Sequence, residues 1–112
     1  GVAQGIGQAL YETVAYDQDG QLLTASYQDY CIPRASDVPA IDVTLDDSAP
    51  CRTNPLGAKG CGESGAIGGP PCITNGVMDA LAPLGIKTLD TPLSPVKIWQ
   101  AIRDAEQRAR TA

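Results

Sequence analysis

The sequence predicts an α+β fold, in which about three helices pack with a small antiparallel sheet made of a hairpin and one further strand. Two observations support this prediction. Apolar residues recur at helical spacing in three stretches, and residues with β-prone or alternating patterns form the segments between them. At 112 residues, the chain has the length of one domain at most.

The first predicted helix opens the chain. Val2, Ile6 and Leu10 share one face of this helix. Gly5 and Gly7 lie within the same stretch, where each glycine lowers helix stability by about 1 kcal/mol relative to alanine. Two interpretations stay open for these glycines: a frayed first turn, or the close approach of a neighbouring backbone or a ligand.

The sheet is predicted from the segment that follows this helix. Residues 13–16 and 22–27 are β-prone, and the Asp-Gly pair ending at Gly20 favours a hairpin because glycine tolerates the positive φ of the turn. Residues 41–46 alternate apolar and polar side chains, as a strand with one buried face does. Prolines and glycines then indicate a long loop over residues 47–65, and loops of this length are uncommon unless they carry a function or are disordered.

Two further helices are predicted in the second half of the chain. Apolar residues follow helical spacing over residues 73–84, in a helix entered through the Pro-Pro pair at 70–71 and ended by Gly85. The last helix is expected to start with Ser94 as the N-cap and Pro95 as the first helical residue. Its charged residues of both signs are typical of a solvated helix face.

The charge and cysteine content argue against several classes of function. A net charge of −5 and a pI near 4.4 disfavour nucleic acid and anionic membrane surfaces as partners. The chain has no histidine, so a Ser-His-Asp or Cys-His catalytic centre is excluded for these residues. Its four cysteines are too widely spaced for a zinc site and predict reduced thiols in a cytoplasmic protein. No apolar run is long enough to span a bilayer.

The first helical pattern and the core composition predict a piece of a larger protein. The helical pattern starts at Val2 without a capping residue before it. Large apolar side chains are also scarce, with no phenylalanine and one tryptophan, so the chain can bury only a modest core. We therefore expect an upstream segment to precede these residues.

The segment Lys-Gly-Cys-Gly-Glu-Ser-Gly at residues 59–65 is the candidate functional site. It places one carboxylate, Glu63, among Gly60, Gly62 and Gly65. A solvated loop glutamate is the ordinary interpretation. Glycines, however, would let the backbone and a single carboxylate approach a ligand closely, with amide N–H groups as donors. The helix that follows would also place Glu63 near a helix N-terminus.

Several segments together resemble the C-terminal end of the large subunit of the xanthine dehydrogenase family of molybdenum hydroxylases, which includes aldehyde and carbon monoxide dehydrogenases. The resemblance extends over nearly the whole chain in order, and the loop around Glu63 is its most specific part. The segments that carry it, besides the hairpin, are residues 1–12, 29–39, 54–65 and 92–102.

The resemblance implies that residues 1–112 form the C-terminal part of a molybdopterin-binding domain. It implies that Glu63 is the catalytic base and that Lys59, Gly60, Cys61 and Gly62 are neighbours of the cofactor, with no metal ligand in the chain. The cofactor would be molybdenum–molybdopterin, in a dinucleotide form. Iron–sulfur clusters and FAD would lie on partner domains or subunits.

The activity implied by this resemblance is oxidative hydroxylation of an aldehyde, a purine or an N-heterocycle, or oxidation of carbon monoxide. These residues alone would be inactive, and they would need the rest of the large subunit, the iron–sulfur and FAD subunits and a small-molecule substrate. A homo-oligomer is compatible with this assembly. The sequence does not distinguish among the substrates.

A different class of function stays open beside the enzyme. The chain would then be an autonomous interaction or structural module with no catalytic role. This alternative predicts a core that is sufficient on its own and a loop around Glu63 that is exposed to solvent.

Overall fold

Three α-helices are the main regular elements of the residues that the structure describes. The computed structural model describes residues 1–111 and contains α1 (Val2–Leu10), α2 (Ser64–Leu81) and α3 (Pro95–Thr111), with single 3₁₀ turns at Ala35–Asp37 and Ala82–Leu84. All three helices were predicted from the spacing of apolar residues. None of the helices in residues 1–111 is both long and apolar enough to cross a membrane.

Helix α1 is confirmed over the predicted residues, and it packs against α2 at Gly5. Gly5, Ile6, Gly7 and Ala9 are buried. The backbone N–H of Leu93, which is fully buried, donates a hydrogen bond of 2.6 Å to the carbonyl oxygen of Ala9. The end of α1 is thereby joined to the segment that leads into α3.

Helix α2 begins at Ser64, so the predicted start at the Pro-Pro pair is wrong. Pro70 and Pro71 lie inside the helix. Neither has an N–H group, and proline usually ends a helix for that reason. Here Gly69 precedes Pro70, and a residue without Cβ relieves part of the clash that a proline ring makes with the residue before it. The predicted stop is confirmed, because Gly85 has a left-handed φ of 73° just after the 3₁₀ turn.

Helix α3 begins as predicted. The side-chain oxygen of Ser94 accepts a hydrogen bond of 3.3 Å from the backbone N–H of Lys97, as an N-cap does, and Pro95 is the first helical residue. The C-terminal half of α2 packs against α3 in the main apolar core. That core consists of Leu81, Ile86 and Ala105, with Val77, Met78, Leu89, Ile98, Ala101 and Ile102 around them.

The predicted antiparallel sheet is wrong. The turn itself forms: Gly20 has a φ of 81°, and the Asp17 carboxylate accepts hydrogen bonds from the backbone of Asp19 and Gln21. In residues 1–111, however, strand pairing is limited to one antiparallel bridge, between Tyr16 and Leu22.

Two physical reasons account for the missing sheet. After Leu23 the backbone turns on itself, since the N–H groups of Asp29 and Tyr30 both donate to the carbonyl oxygen of Ser26. Residues 41–46 are not assigned as a strand, and Leu45 in them is 82% exposed. A hairpin without a third strand is marginal in water, so an alternating pattern alone does not make a sheet.

The three helices form an open arrangement. The radius of gyration is 18.8 Å, whereas a compact domain of this length has a radius of about 13 Å. Large apolar side chains such as Tyr27, Leu56 and Trp99 are more than half exposed. The described residues therefore bury only part of their apolar surface against one another.

Candidate functional site

Glu63 lies at the start of α2, where it is the N-cap residue. Its carbonyl oxygen accepts the hydrogen bond of 2.9 Å from the N–H of Ile67, so its backbone takes part in the helix. Its side chain makes no capping hydrogen bond and is exposed. The carboxylate is therefore not used by the helix that positions it. The sequence-based prediction of Glu63 near a helix N-terminus is confirmed.

The N-termini of α1 and α2 lie side by side next to Glu63. Gly1 is close to Gly65, and Gly5 is close to Gly69, so the two helices run in the same direction. The backbone N–H groups in the first turn of α2 have no partner within the helix and carry partial positive charge. The start of α2 is therefore a favourable environment for an anionic group.

The glycines on either side of Cys61 are not explained by the packing of this chain. A Cβ atom added at Gly60 or Gly62 would meet nothing within 4 Å, and neither glycine has a positive φ. Gly57 is different, because its φ of 65° is one that side chains disfavour. The two glycines of the loop thus leave open space beside the backbone, without a local structural need for it.

A large open cleft connects this loop with the preceding segment. Its volume is about 810 Å³, and residues 43–47 form one wall while the loop and the starts of α1 and α2 form the other. Of the predicted cofactor neighbours, Lys59, Cys61 and Gly62 line the cleft. Gly60 and Glu63 lie next to these residues in the chain but are not part of the lining. The structure therefore brings most, but not all, of the predicted site residues to one cavity.

Asn54 fixes the backbone that leads into the loop, and the sequence analysis did not single it out. Its side-chain amide donates to the carbonyl oxygen of Ala58 at 2.9 Å, and its side-chain oxygen accepts from the N–H of Ala58 at 3.1 Å. The N–H of Cys51 also donates to the carbonyl oxygen of Gly57. The Asn-Pro pair at this position, followed by a glycine, is a turn signal that could have identified Asn54.

Two side-chain hydrogen bonds shift pKa values, one in the segment before the loop and one at the C-terminal end of α1. The thiol of Cys51 lies 3.1 Å from the hydroxyl oxygen of Thr53, and this hydrogen bond lowers the pKa of Cys51. The hydroxyl of Tyr30 donates to the carboxylate of Glu12, and this hydrogen bond raises the pKa of Tyr30. The second contact ties the segment after the turn to the end of α1.

The described residues also define what this chain offers a metal ion. Over residues 1–111, no group of three or more histidine, cysteine, aspartate or glutamate side chains is arranged to hold one. All four cysteines in this range are free thiols.

Comparison with known proteins identifies several similar chains. Residues 1–39 match the family described as molybdopterin cofactor-binding domain. The chain is 40% identical over 107 residues to the 6-hydroxypseudooxynicotine dehydrogenase complex subunit gamma of Paenarthrobacter nicotinovorans, covering 93% of this chain and 13% of that protein. It is 34% identical over 102 residues to the carbon monoxide dehydrogenase large chain of Afipia carboxidovorans, covering 89% of this chain and 12% of that one.

A solved structure has the same arrangement of the backbone. The crystal structure of quinoline 2-oxidoreductase from Pseudomonas putida 86 matches with a TM-score of 0.82 and 41% sequence identity, covering 92% of this chain and 13% of that chain. The chain thus spans about one eighth of the length of the curated relatives that it matches, which is 12% or 13% of the two named above.

Proposed function

We propose a function from the premise that this chain belongs to the family of molybdenum-binding large subunits of the xanthine dehydrogenase type. The proposed reaction is a molybdopterin-dependent oxidative hydroxylation, in which Glu63 is the general base. The observation that carries this proposal is an exposed carboxylate at the start of α2, free of capping and preceded by two glycines that this chain does not need for its own packing.

The loop residues fit a molybdopterin cofactor in two respects. The space beside Gly60 and Gly62 is open, so a planar group from outside the chain can approach their backbone and N–H donors. Lys59 is exposed at the same cleft, and its ammonium group suits the phosphate of a pterin dinucleotide. When bound, the molybdenum cofactor supplies the two-electron oxidation–reduction chemistry.

The role of Glu63 in this reaction is to accept a proton. Its carboxylate oxygens are exposed at the start of α2, next to a loop that contains two glycines. In that position they can take the proton from a water-derived nucleophile as it attacks the substrate carbon. A general base placed in this way contributes about 10²–10⁴-fold to the rate.

Among the possible substrates, an N-heteroaromatic compound is the best supported. The two relatives with 40% and 41% identity are named for a nicotine-derived compound and for quinoline, both of which contain a pyridine-type ring. The carbon monoxide dehydrogenases are less similar, at 32–34% identity. We therefore propose hydroxylation of a pyridine-type ring, and aldehydes, purines and carbon monoxide are the other substrates to test.

The proposed partners are the rest of the large subunit, together with iron–sulfur and FAD subunits in the cytoplasm. The open shape of the chain and its exposed apolar side chains support a larger assembly. Its four free thiols support a reducing compartment. The alternative of an autonomous module also predicts the exposed loop around Glu63. It is less well supported because it requires a self-sufficient core, whereas large apolar side chains of this chain stay exposed.

The test of this proposal is Glu63→Gln in the complete enzyme with its cofactor and partner subunits. We expect kcat to fall by about 10²–10⁴-fold, because the amide cannot act as the base. Molybdenum content should stay normal, since the amide has nearly the same shape as the carboxylate. Glu106→Gln is the matched control, because Glu106 is exposed on α3 and forms only a surface ion pair with Arg103. Turnover of Glu63→Gln within a few-fold of the control would contradict the proposal.

A further inference from the structure

Four glycines form the contact between α1 and α2, and we call this contact the glycine seam. It consists of Gly1 and Gly5 on one side and Gly65 and Gly69 on the other. Each pair is separated by four residues, so each helix presents one backbone face without side chains to the other. The seam lies at the same end of the molecule as Glu63, which is two residues before Gly65.

The backbones meet so closely at the seam that a methyl group does not fit between them. A Cβ atom at Gly65 would lie 2.5 Å from the backbone nitrogen of Val2. A Cβ atom at Gly5 would lie 3.0 Å from the Cα of Gly69, and one at Gly69 would lie 3.2 Å from the Cα of Gly5. Apart from the ring of Pro70 beside Gly5, the neighbouring atoms are backbone atoms, which cannot rotate away as a side chain can. Both helices must therefore move apart if the seam gains a side chain.

From this geometry we infer that Gly5, Gly65 and Gly69 are positioning residues for Glu63, an inference that rests on the proposed function. Glu63 is the N-cap of α2, and its carboxylate makes no capping hydrogen bond that would hold it independently. The location of the first turn of α2 therefore decides where the carboxylate lies. The seam fixes that turn against α1 at backbone contact distance.

The size of the expected displacement follows from the overlap at Gly65. Non-bonded carbon atoms normally lie about 3.5–4.0 Å apart, so relieving the overlap moves the start of α2 by about 1 Å. A displacement of this size at a catalytic group lowers the rate by about 10²-fold. The smaller overlap at Gly69 predicts a smaller displacement and a smaller loss.

The experiment compares three alanine variants in the complete, cofactor-loaded enzyme: Gly65→Ala, Gly69→Ala and Gly76→Ala. Gly76 is the matched control, because it lies in the same helix and a Cβ atom there would meet nothing within 4 Å. Gly65→Ala and Gly76→Ala each replace a helical glycine by alanine, whereas Gly69→Ala also places a Cβ atom directly before Pro70. We expect kcat to fall about 10²-fold for Gly65→Ala, less for Gly69→Ala, and to stay within twofold for Gly76→Ala, with KM and molybdenum content unchanged in all three.

A double-mutant cycle separates positioning of Glu63 from a general structural effect. If Gly65 acts through Glu63, Gly65→Ala should have little further effect in a Glu63→Gln background, because no carboxylate remains to be displaced. A loss of the same size in both backgrounds would overturn the inference. The molybdenum(V) EPR spectrum adds a readout that does not depend on turnover, since it should change in Gly65→Ala and not in Gly76→Ala.

The outcomes distinguish this inference from the proposed function. Full turnover of Glu63→Gln would contradict the role of Glu63 as the base. Loss of turnover in Glu63→Gln, together with normal kcat for Gly65→Ala and Gly69→Ala, would overturn the seam inference alone. If Gly65→Ala does not fold, Gly69→Ala decides the question, because its Cβ atom would lie 3.2 Å from the Cα of Gly5 and needs only a small adjustment.

Discussion

Helices α2 and α3 have almost the same length, 18 and 17 residues, but they differ in charge and in helix-forming residues. Helix α3 contains six charged residues, whereas Asp79 is the only charged residue in α2. Helix α3 also has a side-chain N-cap in Ser94, and α2 has none. The charged residues of α3 are Lys97, Arg103, Asp104, Glu106, Arg108 and Arg110.

This difference shows that the two helices form for different reasons. Helix α2 contains four glycines and two prolines. Relative to alanine in a helix interior, each glycine costs about 1 kcal/mol and each proline costs about 3 kcal/mol. Its own sequence therefore disfavours a helix, and contacts with α1 and α3 must stabilise it. Helix α3 has local signals and a charged face that water can solvate. Substitutions in the two helices should consequently have different effects on local stability.

The largest effect is expected where the two helices meet. Leu81 is 5% exposed and lies in the core between α2 and α3. Leu81→Ala should lower the free energy of local opening in both helices by about 2–5 kcal/mol, because it removes buried methyl groups and leaves a cavity. Amide hydrogen exchange of peptides from the intact protein measures this change.

Leu84→Ala is the control for this experiment. Because Leu84 is 45% exposed, its replacement should lower the free energy of local opening much less. A loss confined to α2 would show that α3 does not depend on the shared core. The two helices would then open independently of each other.

A smaller effect of opposite sign is expected for Pro71→Ala. Alanine restores the missing N–H group inside α2 and should raise the free energy of local opening of that helix by about 2 kcal/mol. Pro95→Ala is the matched control, because proline at the first position of α3 costs no helical hydrogen bond. Hydrogen exchange should slow in α2 for the first variant and change little in α3 for the second. Equal effects at the two sites would contradict the distinction between the helices.

The smallest effect is expected for the N-cap of α3. Ser94→Ala removes the hydrogen bond to the N–H of Lys97 and should lower protection of the first turn by about 1 kcal/mol. Ser64→Ala at the start of α2 should change local protection little, because that end has no side-chain cap. If both serines contributed equally, local capping would not explain why α3 forms.

The features that could be predicted from the sequence are those with local causes. The apolar spacing of α1 and the Ser-Pro start of α3 act within one or two turns. Both helices begin at the residues where they were predicted to begin. Of the two interpretations left open for Gly5 and Gly7, the close approach of a neighbouring backbone is confirmed at Gly5 and not at Gly7, which lies against side chains. Gly5 lies against the backbone of α2, and Gly7 lies against the ring of Pro33.

The features that could not be predicted depend on partners distant in the chain. The strands were wrong because an alternating pattern needs a neighbouring strand, and residues 41–46 are not assigned as a strand. The start of α2 at Ser64 was missed because tertiary packing overrides the two prolines. Within the site, the position of Glu63 at a helix N-terminus was predicted from the sequence. The role of Asn54 and the glycine seam could be recognised only from the folded backbone. The catalytic role of Glu63 stays a prediction.

The pair of prolines in α2 has a mechanical consequence. Because Pro70 and Pro71 have no N–H groups, the carbonyl oxygens of Ala66 and Ile67 lose their hydrogen bonds within the helix. Two backbone hydrogen bonds are therefore missing between the half of α2 that packs against α1 and the half that packs against α3. Helix α2 therefore bends most easily between these halves. A distortion of the core between α2 and α3 is consequently transmitted only weakly to the turn that carries the carboxylate of Glu63.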